Sequence, residues 1–146
     1  GNTAPDIEFG GDMIAPDYNF DNKPKKLSEV HSKYKVVVFG ASWCPLCPTD
    51  LYEIAKYYAS WNQQGVEVVF VSLDEDKHTF ETFTRPFPFI SICDYQKWNT
   101  KAVKDYHVFA TPTIYLLNNK HEIIIKPKSI QQLNAWVNWF LVKGNK

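Results

Sequence analysis

The sequence lacks the features of several protein classes. Among its 16 basic residues only Arg85 is an arginine, which argues against an arginine-based clamp for phosphate groups. The 16 acidic residues balance the basic ones, so the chain has no positive field of the kind that non-specific nucleic-acid binding needs. No apolar run approaches the ~20 residues of a membrane-spanning helix. We therefore expect a protein that does not bind nucleic acid.

Cysteine is also scarce, with three residues in 146. This number is too small for a disulfide scaffold, and an odd count leaves one cysteine unpaired if the other two bond. The chain begins at Gly1 rather than at a methionine, so a signal peptide, a lipid anchor or a membrane tether could have preceded it. Apolar residues, by contrast, are abundant. A hydrophobic content of 45% excludes intrinsic disorder and fits a single domain over residues 1–146.

The apolar pattern predicts a βαβ unit in the first half of the chain. Residues 35–41 and 66–72 are continuous β-branched and aromatic runs, which are typical of central strands buried on both faces. Between them apolar residues recur at helical spacing. This helix is predicted to begin near Cys44, with Pro45 in its first turn, and to stop at Gly65. A strand, a helix and a strand with short connections place the two strands parallel.

The remaining segments complete an α/β sandwich with a mixed sheet. Residues 1–25, rich in Gly, Pro, Asp and Asn, are interpreted as an irregular N-terminal β-hairpin and lead-in. Residues 74–110 are interpreted as a helical insertion. The predicted elements from there onward are helices at 77–84 and 100–106, a short strand at 89–92, paired strands at 113–117 and 122–126, and a last helix after the capping box of Ser129 and Gln132.

The motif Cys44–Cys47, with the letters CPLC, follows the first central strand and opens the predicted helix. Residues three apart on a helix have ~5–6 Å between their Cβ atoms, so a disulfide between these cysteines needs only small adjustments. The unpaired N–H groups of a helix N-terminus stabilise a thiolate. Cys44 is therefore expected to be activated and exposed, with Cys47 one turn deeper. This arrangement provides the attacking thiolate and the resolving thiol of thiol–disulfide exchange.

Two other interpretations of the pair are weaker. A disulfide that closes so short a loop lowers the entropy of the unfolded chain only slightly and stabilises the fold by only ~2 kcal/mol. A purely structural role for the pair is therefore weakly supported. Half of a zinc site would need two more ligands, but Cys93 stands alone and the sequence has no second cysteine pair and no paired histidines. We therefore expect no metal ion. Cys93 is expected to be an inert buried thiol.

These segments together resemble a thioredoxin fold. The resemblance rests on the strand at 36–41, the sequence SWCPLC at 42–47, the helix to Gly65, the VEVVFVS strand at 66–72 and the sequence ATPT at 110–113. With its long lead-in and its insertion, the chain is more similar to thiol:disulfide oxidoreductases of the TlpA/ResA type, in the AhpC/TSA–thioredoxin-like superfamily, than to thioredoxin itself. It departs from the common pattern because a proline follows the first cysteine directly.

The resemblance implies a cis peptide bond at Thr111–Pro112, with the proline against the reactive cysteines. A substrate peptide would then pair with the Thr111 backbone beside Cys44. The expected substrate-binding residues are Trp43, Pro45, Leu46, Thr111 and Pro112. For Trp43 a half-buried packing role is an equal alternative.

Asp50 lies where many TlpA-like proteins have a glutamate. It could relay a proton to or from Cys47 through water. It could equally be a solvated residue in the first turns of a helix, stabilised there by the helix dipole. The residues leave both interpretations open.

The expected function is that of an enzyme of cell redox homeostasis, a reductase of disulfides in extracytoplasmic partner proteins. The resemblance implies a location in the bacterial periplasm, a thiol electron donor, a monomeric state and no cofactor apart from the redox-active disulfide Cys44–Cys47. The reducing direction rests on the absence of Lys, Arg and His between Gly40 and Ala55. A less stabilised thiolate makes the pair a poorer oxidant and a better reductant.

Two alternatives come from other functional classes. The sequence CPTD from Cys47 to Asp50 is similar to the CPTE of peroxiredoxins, which are thiol peroxidases. However, the threonine usually found three residues before their cysteine is Cys44 here, and Arg85 is badly placed to activate a cysteine. A non-enzymatic metal-binding or scaffold module of the Sco type is the other alternative, but Sco-type proteins space their cysteines one residue wider.

Overall fold

A seven-stranded mixed sheet forms the centre of the computed structural model, which describes residues 2–144. The strands are β1 (Asn2–Thr3), β2 (Asp12–Ile14), β3 (Tyr34–Gly40), β4 (Val66–Ser72), β5 (Ile90–Cys93), β6 (Thr113–Asn118) and β7 (Glu122–Ile125). The helices are α1 (Cys47–Gln63), α2 (Lys77–Thr84), α3 (Lys101–Asp105) and α4 (Ile130–Gly144), with single 3-10 turns at Leu27–Glu29 and Lys97–Asn99. The order in the sheet is β1-β7-β6-β3-β4-β5-β2.

The predicted βαβ unit is confirmed. Strands β3 and β4 pair in parallel at the middle of the sheet, and β5 adds a third parallel strand beside β4. Alternate residues of β3 enter the two halves of the core: Val36 and Val38 pack with α1 and α4, whereas Val37 and Phe39 pack with the N-terminal segment and α3. Burial of both faces explains why these strands are continuous apolar runs.

Helix α1 begins at Cys47 and not near Cys44, so that prediction is wrong. Residues 42–46 lie in turns and bends. Turn-like hydrogen bonds of 3.3 Å, from the Cys44 N–H to the Ala41 carbonyl and from the Cys47 N–H to the Cys44 carbonyl, shape this loop instead. Pro48, not Pro45, occupies the first helical turn, where its missing N–H costs nothing.

The predicted N-terminal hairpin is also wrong. Strands β1 and β2 lie at opposite edges of the sheet, where β1 pairs with β7 and β2 pairs with β5. The segment between them crosses one face of the sheet and buries Ile7 and Phe9 in the core. This path removes both side chains from water, and it leaves β2 free to pair with β5. The N-terminal region therefore covers one side of the domain.

The later elements follow the sequence prediction closely. Helix α2 has the predicted bounds, and Asp76 caps it by accepting a 2.8 Å hydrogen bond from the Thr79 N–H. The insertion also contributes β5 to the sheet, which its predicted short strand anticipated. Strands β6 and β7 form the predicted antiparallel pair, with His121 at a φ of +63° in their turn. Helix α4 starts after the predicted cap, because Ser129 Oγ accepts a 3.0 Å hydrogen bond from the Gln132 N–H.

Candidate active site

The two cysteines of the CPLC motif lie where β3 ends and α1 begins, and both thiols are free. Cys44 is in the connecting loop, and Cys47 is the first residue of the helix. The last residue of β3, Gly40, lies against the second thiol: a Cβ at this position would be 2.9 Å from the Cys47 sulfur. Gly40 therefore leaves the space that Cys47 occupies, a requirement that the strand pattern did not reveal.

Cys44 is more enclosed than the sequence predicts. It is only 2% exposed, and Cys47 is fully buried. The Cys44 Sγ–H donates a 3.3 Å hydrogen bond to the Thr111 carbonyl oxygen, so the loop before β6 covers the thiol. The expected exposure of Cys44 is therefore wrong for the reduced protein, because two segments distant in sequence meet over its sulfur.

Burial and hydrogen bonding give the two thiols different acidities. Burial disfavours ionisation of Cys44, but hydrogen bonds from the Cys47 thiol and the Thr111 side chain outweigh it, and the pKa of Cys44 lies below its ordinary value. The backbone N–H groups of Leu46 and Cys47 act in the same direction. Burial, and then the hydrogen bond to Cys44, raise the pKa of Cys47 to about 12. The pair therefore combines a thiol that ionises readily with one that keeps its proton.

The Thr111–Pro112 peptide bond is cis, as the resemblance implies. Strand β6 begins at the next residue, Thr113, which pairs with Phe39 of β3. This antiparallel register brings the cis-proline loop to the end of β3 where Cys44 lies. The Thr111 carbonyl thus contacts the first cysteine without any sequence proximity to it.

Exposed apolar side chains flank the cysteine loop. Trp43 and Leu46 are 46% and 64% exposed, and Pro45 between the cysteines is also exposed. Phe109, just before the cis-proline loop, is 84% exposed. The structure thus brings the predicted substrate-binding residues to one end of the sheet, and Phe109 adds a residue that the sequence analysis did not single out.

Trp43 makes a specific contact with the insertion. Its ring lies 6.3 Å from that of Trp98, and Lys97 Nζ lies 5.3 Å from the centre of the Trp43 ring. Lys97 also forms a 3.3 Å ion pair with Glu75. Trp43 is therefore packed on one side and exposed on the other, so both interpretations of this residue describe part of its environment.

Asp50 is half-buried in the first turn of α1. It lines a groove of about 360 Å³ together with Pro112, Lys126 and Lys128. Burial, and then the nearby charge of Glu53, raise the pKa of the Asp50 carboxyl above its ordinary value. Within residues 2–144 no hydrogen bond links this carboxyl to Cys47. The geometry places Asp50 beside the cis-proline, and any proton transfer to the thiol requires water.

Asp74 is a further residue of the site, although the sequence predicted only that it begins the insertion at 74–110. Its carboxylate is 1% exposed and accepts hydrogen bonds of 2.6 Å from Ser42 Oγ and 3.1 Å from the Ser42 N–H. Ser72 Oγ donates a third, of 2.8 Å. The available signal in the sequence was an acidic residue two positions after the end of a buried strand. Asp74 holds the start of the loop that carries Trp43 and Cys44.

The third cysteine lies outside this arrangement. Cys93, at the end of β5, is 2% exposed, and its Sγ–H donates a 3.2 Å hydrogen bond to the Asp74 carbonyl. Burial raises the pKa of the Cys93 thiol to about 11. A protonated, buried thiol fits the predicted inert role.

Neither alternative function gains support from the site. Arg85 is an exposed residue at the end of α2, and it does not contribute to the acidity of either thiol of the pair. Among residues 2–144 no group of three or more His, Cys, Asp or Glu side chains is placed to hold a metal ion. In the same part of the chain, no helix has both the length and the apolar character needed to cross a membrane.

Comparison with known proteins identifies several that are similar to this chain. The chain is 29% identical over 109 residues to sporulation thiol-disulfide oxidoreductase A of Bacillus subtilis, across 69% of this chain and 64% of that protein. It is 28% identical over 142 residues to thiol-disulfide oxidoreductase ResA of Oceanobacillus iheyensis, across 94% of this chain and 71% of the relative. The chain therefore spans about two thirds of the length of these curated relatives.

The fold and the family are both confirmed. The thioredoxin domain of a thiol-disulfide oxidoreductase from Bacteroides vulgatus superposes with a TM-score of 0.80 at 19% identity, over 97% of this chain and 96% of that domain. This likeness establishes the predicted thioredoxin-like fold. The model of the AhpC/TSA family matches residues 1–130. The chain therefore belongs to the AhpC/TSA family.

Proposed function

We propose that this chain is a thiol:disulfide oxidoreductase in which Cys44 attacks and Cys47 resolves. The observation that carries the proposal is the different placement of the two thiols: Cys44 contacts the Thr111 carbonyl of the cis-proline loop, whereas Cys47 is fully buried, and the pKa is lowered at Cys44 and raised at Cys47. A structural disulfide would need no such difference. An exchange reaction needs it, because the thiolate is the nucleophile and the second thiol must wait until the mixed disulfide has formed.

The reaction proceeds in two displacements. The Cys44 thiolate attacks one sulfur of a partner disulfide, forms a mixed disulfide and releases the other partner sulfur as a thiolate, which takes up a proton. Cys47 then loses its proton and attacks Cys44 Sγ, which releases the second partner thiolate. Two electrons and two protons pass to the partner in total, and Cys44 and Cys47 remain as a disulfide. A thiol electron donor reduces this disulfide again.

Two neighbours of the cysteine pair take part in these steps. The partner peptide displaces the contact between Cys44 Sγ–H and the Thr111 carbonyl, and it pairs with this backbone like an added strand. It rests on the exposed Trp43, Pro45 and Leu46. Asp50 receives the Cys47 proton through water, because its partly buried carboxyl has a raised pKa and lies beside Pro112.

The proposed partners are disulfide-containing proteins outside the cytoplasm, in the bacterial periplasm. The names of the curated relatives, thiol-disulfide oxidoreductases, support this substrate class. The reducing direction is favoured because no Lys, Arg or His lies between Gly40 and Ala55, so only hydrogen bonds stabilise the Cys44 thiolate. The protein works as a monomer, and it needs no metal and no cofactor beyond the Cys44–Cys47 disulfide.

Trapping of the mixed disulfide tests this proposal. Cys47→Ser is expected to accumulate a covalent complex with a disulfide-bearing substrate such as insulin, because the resolving thiol is absent, whereas Cys44→Ser is expected to trap none. Alkylation at mildly acidic pH should label Cys44 before Cys47. Labelling in the reverse order would overturn the assignment. Rapid consumption of peroxide by the wild-type protein, without insulin reduction, would favour the thiol peroxidase instead.

A further inference from the structure

A polar cavity of about 290 Å³ lies near the start of β3, at the opposite end of this strand from the cysteine pair. Its walls come from the segment after the first 3-10 turn, from Lys35 of β3 and from the turn between β6 and β7, which contributes Asn119 and His121. Gly40 is five positions after Lys35 in β3, which corresponds to a distance of roughly 16 Å along a strand. The cavity is therefore separate from the site of thiol chemistry.

Lys35 brings a lysine ammonium group to this cavity. It is only 4% exposed, and in the part of the chain that the structure describes it forms no ion pair. Lysines are almost never buried to this extent without a partner. The one carboxylate that acts on it is that of Asp6, but this group already accepts hydrogen bonds from the Ile7 N–H and from both the N–H and the hydroxyl of Ser28.

Two further groups at the cavity lack partners. Both ring nitrogens of His121 and the Ser32 hydroxyl are buried without a hydrogen bond. The Pro5 carbonyl lies near the His121 ring, but it makes no hydrogen bond of good geometry with either nitrogen. The turn cannot rotate freely to satisfy the ring, because the His121 carbonyl accepts a 2.8 Å hydrogen bond from the Ala4 N–H. Buried polar groups of this kind are normally satisfied.

The three unpartnered groups share one kind of chemistry. A lysine ammonium, a hydroxyl and an imidazole can all donate hydrogen bonds, and the ammonium is positively charged. Water can satisfy such donors, but it carries no charge to pair with the ammonium group. A ligand with several acceptor oxygens and a negative charge can do both. We propose that this cavity binds a small oxyanion of the phosphate or sulfate type, held by Lys35, His121 and Ser32.

An NMR titration of the full chain tests the proposal. Inorganic phosphate is added against sodium chloride of equal ionic strength, and the backbone amides of Ser32 and His121 are followed. We expect saturable shifts that centre on the cavity, and a weaker response to chloride. A second titration with glycerol phosphate separates a site for the free anion from one that also admits a phosphate ester. Shifts that stay linear, or that spread over the whole surface, would overturn the proposal.

Matched variants connect the binding to the named groups. Lys35→Met keeps most of the buried stem and removes the charge, and it is expected to weaken phosphate binding at least tenfold. Lys33→Met removes an exposed lysine of the same segment and should leave the affinity unchanged. Ser32→Ala is a smaller change and should weaken phosphate binding several-fold. It tests the site independently if Lys35→Met does not fold. Equal phosphate affinity of Ser32→Ala and wild type, together with unaltered binding by a folded Lys35→Met, would contradict the assignment.

Discussion

The Asp74 carboxylate holds Ser42 through two hydrogen bonds, one of 2.6 Å from the Ser42 hydroxyl and one of 3.1 Å from its N–H. Ser42 stands two residues before Cys44. A carboxylate that is 1% exposed can accept hydrogen bonds but cannot donate them. Asp74 thereby positions the loop that carries the first thiol, although it touches neither cysteine of the pair with its side chain.

We predict that Asp74→Asn lowers kcat/KM for insulin reduction by about tenfold. The Asp74 carboxylate accepts hydrogen bonds from the Ser42 N–H, the Ser42 hydroxyl and the Ser72 hydroxyl. In asparagine an N–H₂ group replaces one of the two acceptor oxygens, so at least one of these donors loses its acceptor. This loss should lower the free energy of unfolding by about 1–3 kcal/mol. The pH profile of Cys44 alkylation should also move, which a loss of stability alone would not cause.

The control for this variant is Asp76→Asn. Asp76 is the exposed cap of α2, and its carboxylate accepts hydrogen bonds from the N–H and the hydroxyl of Thr79 in the first turn of that helix. Because asparagine caps a helix about as well as aspartate, this variant should change stability little and leave the reaction unchanged. If Asp74→Asn behaves like Asp76→Asn in both measurements, the positioning role of Asp74 is wrong.

The raised pKa of Cys47 predicts that the reduced protein is less stable in alkaline solution. The ordinary thiol pKa is 9.0, and in the folded protein burial raises that of Cys47 to about 12. Above pH 9 the unfolded chain therefore releases this proton while the folded chain retains it. Stability should fall between about pH 9 and 12, by at most about 1.4 kcal/mol per pH unit for one proton.

Denaturant unfolding of the wild type and of Cys47→Ala across this pH range measures the effect. Cys93 and several buried tyrosines, whose pKa values are also raised by burial, contribute to both proteins. Because Cys47 also lowers the pKa of Cys44, the difference in slope belongs to the thiol pair. Equal slopes would mean that Cys47 ionises as easily in the folded protein as in the unfolded chain.

The pH dependence of insulin reduction tests the proton relay by Asp50. Asp50→Asn should slow the attack of Cys47 on the mixed disulfide and flatten the pH–rate profile between about pH 6 and 9, because the proton acceptor is lost. Single-turnover measurement of mixed-disulfide decay isolates this step. Asp76→Asn, which neutralises an acidic residue at the N-terminus of another helix, is the matched control and should keep the wild-type profile.

The simpler interpretation of Asp50 makes a different prediction. As an acidic residue near a helix N-terminus it would contribute only ~0.3–1 kcal/mol to stability. Superimposable pH–rate profiles of Asp50→Asn and the wild type, with folding checked by circular dichroism, would establish this interpretation.

Cys93 is predicted to be dispensable for turnover. Cys93→Ala should leave insulin reduction nearly unchanged and lower the free energy of unfolding by ~1–2 kcal/mol, because it removes a small buried group. Activity and urea unfolding of the same preparation measure the two effects. A large loss of activity in a fully folded Cys93→Ala protein would instead indicate a relay through three cysteines.

The sequence alone determined the elements whose signals are local. The runs at 35–41 and 66–72 predict buried parallel strands, because a strand covered on both faces must be apolar throughout. The spacing of Cys44 and Cys47 after such a strand predicts the redox pair, and Ser129 with Gln132 predicts the start of α4. Each of these signals depends on residues a few positions apart, so it can be identified from the sequence without knowledge of the tertiary structure.

Only the tertiary structure decided the features that join distant segments. The two edge strands at the N-terminus lie far apart because the segment between them crosses the sheet and buries Ile7 and Phe9. Cys44 is covered because the register of β3 with β6 brings the Thr111 carbonyl onto its sulfur, and Asp74 becomes part of the site because β4 ends beside the cysteine loop. Such contacts depend on which strands are neighbours and in what register, and local periodicity does not contain that information.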